Sequence, residues 1–249
     1  PMSSAASASV FSGLPGLSED EYPGFPADVC PEILPDLHKH HSLLADLFKR
    51  EPGLYEQLRQ KRTALGVGLA KCIKTGMDNR GHPMIKTLGI VAGDAECYEV
   101  FRPLFDALIR ERACSPAPGS LSLSAADRRG SGSLTTTCPD DSGGYVLSTQ
   151  VRAARCLEGV RFPPAASLEE RREVERVVSR ALLELKEPLK GKYFPLVGSQ
   201  SYSQMPGGMS ESDEEVLAQE GLLFSHPDST AVLCSGVGRH WPDARGIFV

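Results

Sequence analysis

The run Tyr145-Val146-Leu147-Ser148-Thr149-Gln150-Val151-Arg152-Ala153-Ala154-Arg155 constrains the fold most, because it asks for a strand in a chain otherwise patterned for helices. β-Branched and aromatic residues follow a turn signal, Ser142-Gly143-Gly144. Strand side chains alternate, so Ser148, Gln150, Arg152 and Ala154 share one face, while Leu147, Thr149 and Val151 share the other. A guanidinium, a hydroxyl and an amide on one face can grip a phosphate through a bidentate fork. The same alternation also describes a half-buried strand with a solvated polar face, which is the commoner case. Spacing alone leaves both readings open.

Around this strand the chain divides into four parts. Residues 1–33, rich in Ser, Ala, Pro and Gly, read as a disordered extension. Residues 34–112 read as a small all-α domain. Leu37, Leu43, Leu44, Leu47 and Phe48 fall near one face of a helix that also contains His38, His40 and His41, and Pro52 stops that helix. A second short helix over 51–62 turns Leu54, Tyr55 and Leu58 inward, and a third ends at Gly76. Asp94 caps a helix with Tyr98, Phe101, Phe105, Leu108 and Ile109 inward, divided so that a second helix starts at Pro103. Residues 113–144 form a Gly/Ser-rich linker. Residues 145–249 open with the strand and continue into an amphipathic helix. Ser167 and Glu170 make a capping box for it, and Val174, Val177, Val178, Ala181, Leu182 and Leu185 line its inward face. Residues 197–212 read as a flexible loop.

Composition narrows the class. A net charge of −5 gives no general attraction to nucleic acid or anionic membranes, and no apolar run approaches the roughly 20 residues of a membrane helix. Seven scattered cysteines without a C-x-x-C suit reduced thiols in a cytoplasmic setting rather than a disulfide framework or zinc site. The histidines at 38, 40 and 41 lack a carboxylate or thiol at ligand spacing, so no metal site is expected. Gly66-Val67-Gly68 lacks the third glycine of a dinucleotide loop, and no Walker-type phosphate loop occurs.

Four motifs in order resemble the phosphagen (guanidino) kinases, creatine kinase branch. The strand is similar to that family's Y-V-L-S-S-R-V-R-x-x-R. Residues 78–94, from Asp78-Asn79-Arg80-Gly81-His82-Pro83 to Val91-Ala92-Gly93-Asp94, resemble its D-N-x-G-H-P-F-I…V-A-G-D loop. Gly191-Lys192-Tyr193-Phe194-Pro195-Leu196 resembles G-K-Y-Y-P-L, and Trp241-Pro242-Asp243-Ala244-Arg245-Gly246-Ile247 matches W-P-D-A-R-G-I. The resemblance runs from about Leu34 onward. It implies an α+β fold, a small all-α N-terminal domain followed by an incomplete antiparallel-sheet and helix catalytic domain. It implies reversible transfer of the ATP γ-phosphoryl group to creatine or a related guanidino substrate, with ATP or ADP and magnesium as cofactors. By resemblance the nucleotide side comprises Ser148, Thr149, Gln150, Val151 and Arg152. The guanidino side comprises Leu88, Gly89 and Ile90, with Leu88 where creatine kinases usually carry valine. Trp241 takes the place of a tryptophan at the family's dimer interface, implying a homodimer or a heterodimer with a full-length kinase.

The chain departs from the family at chemically important places. Gln150 replaces a phosphate-binding arginine, and Gly221 stands where the family has a histidine beside adenine. Creatine kinases continue well past W-P-D-A-R-G-I, and their remaining catalytic residues lie in that continuation, so no catalytic residue is assigned here. The expectation is a truncated, inactive relative. Its alternatives are a non-enzymatic pseudoenzyme or dimerisation partner, and a gene-model fragment.

Overall fold

The computed structural model describes residues 16–17, 22–114, 153–224 and 226–249. Helix α1, Leu43–Arg50, begins where the Ser42 hydroxyl accepts the Ala45 N–H at 3.1 Å, and ends with Lys49 and Arg50 at its negative pole. The expected helix reaching back over the histidines is not formed. Asp36 accepts the His38 N–H at 3.0 Å, and this local side-chain bond diverts the backbone into a turn before Ser42. Helix α2, Gly53–Leu58, follows Pro52 and buries Leu54, Tyr55 and Leu58 as expected. The Tyr55 ring meets Phe48 edge-on at 5.9 Å.

Helix α3, Leu69–Asp78, runs two residues beyond the expected stop at Gly76. That glycine is helical, not a left-handed cap. A β-carbon there would overlap the carbonyl oxygen of Gly89. Its smallness therefore serves close packing by a neighbouring loop. Helices α4, Cys97–Val100, and α5, Arg102–Cys114, abut around Phe101, with α5 beginning one residue before Pro103. Phe101, Phe105 and Leu108 are buried, but Tyr98, expected inward, is 46 % exposed and only tilts against Phe105. Asp94 is buried and joins three segments. It accepts the Cys97 N–H at 2.9 Å and the Thr63 hydroxyl at 2.5 Å.

These helices share one apolar cluster, built around Leu44, Leu47, Phe48, Leu69, Ile73, Phe101 and Leu104. Phe25 and Cys30 belong to it too, so part of residues 1–33, which composition marks as a mostly disordered extension, packs into the core. The reason lies in two buried charges. Lys74 Nζ donates to the carbonyls of Tyr22 and Phe25 and pairs with Asp78 at 2.8 Å, while Asp78 accepts the Phe25 N–H at 2.6 Å. Orphaned backbone groups and two charges satisfy one another, so residues 22–25 are tied to α3.

Helix α6, Leu168–Leu183, carries the expected capping box. The Ser167 hydroxyl accepts the Glu170 N–H at 3.2 Å, and the Glu170 carboxylate accepts the Ser167 N–H at 2.8 Å. Its orientation is a correction. The buried residues are Arg171, Glu175 and Ser179, four apart, whereas Val177, Val178, Ala181 and Leu185 of the expected inward face are exposed. Hydrogen bonding explains the turn. Arg171 donates to the carbonyls of Pro163 and Gly236, and Tyr193 donates to Glu175 at 2.8 Å.

Strands β1, Tyr193–Pro195, and β2, Gly246–Phe248, pair antiparallel with Phe194 opposite Ile247. Between them lie α7, Glu211–Gln219, and α8, Thr230–Ser235. A second, small cluster of Leu196, Met209, Leu217 and Ile247 forms there. Residues 197–212, expected to be a flexible loop, fold back on themselves. Gly198 donates to the Gly207 carbonyl at 2.7 Å, Met209 donates to Pro195 at 2.8 Å, and the Met209 side chain is buried. None of the described helices is long and apolar enough to cross a membrane.

The packing at Gly76 yields a sharp expectation. Gly76→Ala forces the Gly89 backbone away and should cost about 1–3 kcal/mol in urea unfolding, the usual cost of overpacking. Gly53→Ala, in a helix with open space at its β-carbon, should be neutral or stabilising by up to about 1 kcal/mol. Equal midpoints for Gly76→Ala and wild type would refute the packing argument.

Candidate functional site

The loop over residues 79–93 starts from α3 and returns across its surface. Its first turn is closed by Asn79, whose side chain accepts the Gly81 N–H at 2.9 Å, with Gly81 left-handed at φ 73°. His41 N–H then donates to the Arg80 carbonyl at 2.7 Å. Further on, the unpaired N–H groups at the start of α1 find partners in the loop. Leu43 donates to Thr87 at 2.9 Å, and Leu44 donates to Leu88 at 3.1 Å. Val91 donates back to the Cys72 carbonyl at 2.9 Å. The loop is therefore held on both sides by helix backbone.

This arrangement places the three expected guanidino-side residues differently. Leu88 is 39 % exposed, an apolar side chain at the rim. Gly89 has φ 74°, and a β-carbon on it would lie 2.7 Å from the Ser42 hydroxyl, so both conformation and space require glycine. Ile90 is partly buried against the main cluster and anchors the loop. Met84 and Ile85 at the loop's tip are 85 % and 68 % exposed. The expected nucleotide-side residues Ser148, Thr149, Gln150, Val151 and Arg152 lie outside the described residues, as do Tyr145 to Leu147. Ala153 to Arg155, the strand's last three positions, are exposed and without regular structure.

Gly221 has a local explanation. It follows α7 in the left-handed conformation, φ 71°, and Leu222 donates to the Leu217 carbonyl at 2.9 Å, closing the helix end. Glycine here terminates a helix and offers no side chain to a ligand. Trp241 is partly buried against the second cluster, with the Arg245 guanidinium 5.2 Å from its ring centre and His226 edge-on at 6.0 Å.

Sequence reasoning missed a cationic group beside that tryptophan. Burial, then Arg245 and Arg239, pull the Arg171 pKa down to about 9. Burial lowers Arg245 to about 10 against the opposing charge of Asp243. Burial and the same three arginines push His240 down to about 4. The guanidinium groups of Arg171 and Arg245 are held largely by carbonyl oxygens, those of Pro163 and Gly236, and of Asp243, Val237 and Arg239. Their positions, scattered over the sequence, carry no periodic signal. A groove of about 700 Å³ along α6 is also arginine-rich, but its cations are matched. Arg172 pairs with Asp243, Arg176 with Glu173, and Arg180 with Glu184. Among the described residues no group of three or more His, Cys, Asp or Glu is placed to hold a metal ion.

Residues 38–110 match the family model of the ATP:guanido phosphotransferase N-terminal domain. The flagellar creatine kinase of Strongylocentrotus purpuratus is 40 % identical over 217 residues, which cover 86 % of this chain and 17 % of that protein. The crystal structure of a lombricine kinase superposes with a TM-score of 0.62 at 31 % identity, covering 87 % of this chain and 54 % of the other. The duplicated taurocyamine kinase from Schistosoma mansoni, with bound transition state analog components, gives 0.61 at 30 % identity, covering 85 % and 27 %. The chain thus spans between about a sixth and about half the length of these relatives.

His240 supplies a pH expectation. Its folded pKa lies below its ordinary value of 6.5, so the unfolded chain binds the extra proton between pH 6.5 and about 4. Stability contributed by the neutral imidazole is present above pH 6.5 and is lost as pH falls toward 4. His240→Asn should flatten the urea midpoint's pH dependence across that window relative to wild type. Parallel curves for the two proteins would exclude His240 as the source.

Proposed function

From a chain related to the phosphagen (guanidino) kinases and carrying their N-terminal domain over residues 38–110, we propose an ATP:guanidino phosphotransferase of creatine kinase type with a weakened nucleotide grip. The observation that carries the acceptor side is the loop around Leu88, Gly89 and Ile90. It is pinned to the start of α1 and to α3, and Leu88 lies at its rim between that fixed backbone and the exposed Met84 and Ile85 of the tip. An apolar contact there suits the N-methyl group of creatine, and the fixed backbone on either side positions it. In this reading Ser148, Thr149 and Arg152 would hold the nucleotide phosphates, with Val151 as support and Gln150 as a weaker neighbour. Magnesium-bound ATP supplies the transferable phosphoryl group when bound, and the chain's own work is to orient and neutralise charge. The proposed organisation places the boundary between the acceptor and nucleotide sides in residues 113–144, in a cytoplasmic protein.

Two residues, Gln150 and Gly221, set the expected weakness. A lost charge-assisted hydrogen bond at Gln150 corresponds to about one to two decades in affinity. A lost charge-stabilising donor costs about 10²–10³ in turnover. The purified chain should therefore form phosphocreatine from ATP and creatine at less than about a thousandth of an ordinary kinase rate. Gln150→Arg should tighten MgADP binding in calorimetry by about tenfold to a hundredfold. Full turnover by the wild type, or unchanged binding by Gln150→Arg, would refute the proposal.

A second reading is association with another kinase subunit through the Trp241 surface, supported by the partial exposure of that ring beside Arg245. Trp241→Ala should lower the dimer fraction in sedimentation, by about 2 kcal/mol or more if the ring is central to the interface. A monomer at all concentrations before mutation would exclude it.

A further inference from the structure

Two cysteines meet inside the main apolar cluster. Cys72 lies on α3 and Cys97 is the first residue of α4, both at 0 % exposure. The Cys72 thiol donates to the Cys97 sulfur, with the two Sγ atoms 3.7 Å apart. A bond between two thiols is weak, and small apolar side chains would fill the same space, so packing alone does not require sulfur at either position.

The two residues bracket the 79–93 loop. The Cys72 carbonyl accepts the Val91 N–H at 2.9 Å, and the Cys97 N–H donates to Asp94 at 2.9 Å. The returning end of the loop is therefore held by the backbone of both cysteines. Separation of residues 91–97 from α3 is the motion that would bring the sulfurs into water, and a covalent link between them would oppose it. The two thiols are also unequal. The hydrogen bond from Cys72 draws the Cys97 pKa below the ordinary thiol value, whereas the same bond, and then burial, push Cys72 up. Cys97 is thus the sulfur that ionises first, and Cys72 stands where a resolving thiol is needed.

We propose that Cys72 and Cys97 are a reversible redox pair, oxidised by peroxide to a disulfide that clamps the 79–93 loop to α3. The Cys97 thiolate attacks one peroxide oxygen. An S–O bond forms, the O–O bond breaks, and the departing hydroxide takes up the thiol proton as water. The Cys72 sulfur then attacks the Cys97 sulfur. The S–S bond forms, the S–O bond breaks, and the oxygen leaves as a second water with the Cys72 proton. The sulfurs together lose two electrons, and the peroxide gains them. A disulfide places its sulfurs about 2.0 Å apart, so the pair closes the remaining distance by side-chain rotation. The bridge completes a ring from residue 72 to residue 97 that contains Leu88, Gly89 and Ile90. Transient disulfides of this kind are the ones a reducing compartment permits, and a dithiol reverses them. The bridge does not depend on which guanidino substrate the loop accepts.

The test treats the full, folded chain with hydrogen peroxide, followed by alkylation in denaturant, digestion and mass spectrometry. The Cys72 and Cys97 peptides should appear joined, lighter than their sum by two hydrogens, and dithiothreitol should release them. Cys156→Ser removes an exposed thiol and should leave the bridge intact, whereas Cys97→Ala should abolish it. Hydrogen exchange reads the consequence without any variant. Amides of residues 79–97 should exchange about tenfold or more slowly in the bridged chain, because a cross-link removes open conformations, while those of α7 should be unchanged. Cys72 and Cys97 still alkylated after Cys156 has been consumed would overturn the proposal. A preferred cross-link from either residue to a third cysteine, or unchanged exchange of 79–97 in the bridged chain, would overturn it as well.

Discussion

The carbonyl of Gly89 occupies the space where a β-carbon on Gly76 would stand. The two backbones can approach this closely only because Gly76 lacks a side chain, and the position of the 79–93 loop follows from that contact. Once Gly89 lies on α3, its left-handed φ turns the chain so that Leu88 can accept a hydrogen bond from Leu44 and Val91 can donate to Cys72. The loop thereby satisfies a start of α1 that Ser42 caps only in part. Leu88 remains at the rim because its backbone, not its side chain, makes the attachment. The loop is thus held on its helices mainly by main-chain bonds, which leaves Leu88, Met84 and Ile85 exposed.

The opposite side of α3 obeys a different constraint. Lys74 and Asp78, one turn apart, are both nearly excluded from water, and such a pair is tolerable only when its remaining donors and acceptors are used. The carbonyls of Tyr22 and Phe25 and the N–H of Phe25 use them. Gly24, between those residues, must be glycine, since a β-carbon would overlap the Asp78 carboxylate. The early segment is therefore part of the fold through polar bonds, which explains why its low hydrophobicity misled a reading based on composition.

What the sequence made legible was what local chemistry dictates. The Ser167–Glu170 box, the buried Leu54, Tyr55 and Leu58, and the junction of α4 and α5 next to Pro103 follow from short-range rules, and the structure shows each. The motif loop was legible as a resemblance, and its glycines acquire physical reasons only from their neighbours. What was not legible depends on distant partners. Gly76 looks like a helix stop until Gly89 is laid on it. The histidines before Ser42 look helical until Asp36 competes for their backbone. The cationic group of Arg171, Arg239 and Arg245 draws on residues some 70 positions apart and has no linear signature.

Helix α6 shows most clearly how hydrogen bonds can outrank apolar periodicity. Its valine-rich stripe predicts one orientation, and its bonds select another. Arg171 reaches the Pro163 and Gly236 carbonyls, while Glu175 receives the Tyr193 hydroxyl, whose own pKa is raised by burial and by that carboxylate. Leaving either group buried and unpaired would cost about 1–3 kcal/mol, or more for a charge, comparable to the gain from burying a valine. The Tyr193 ring in turn lies where a β-carbon on residue 246 would be, so Gly246 of the W-P-D-A-R-G-I run must be glycine for β1 and β2 to pair. Two motifs more than 40 residues apart are thus interlocked by one aromatic ring, and the same ring's hydroxyl sets the face that α6 turns inward.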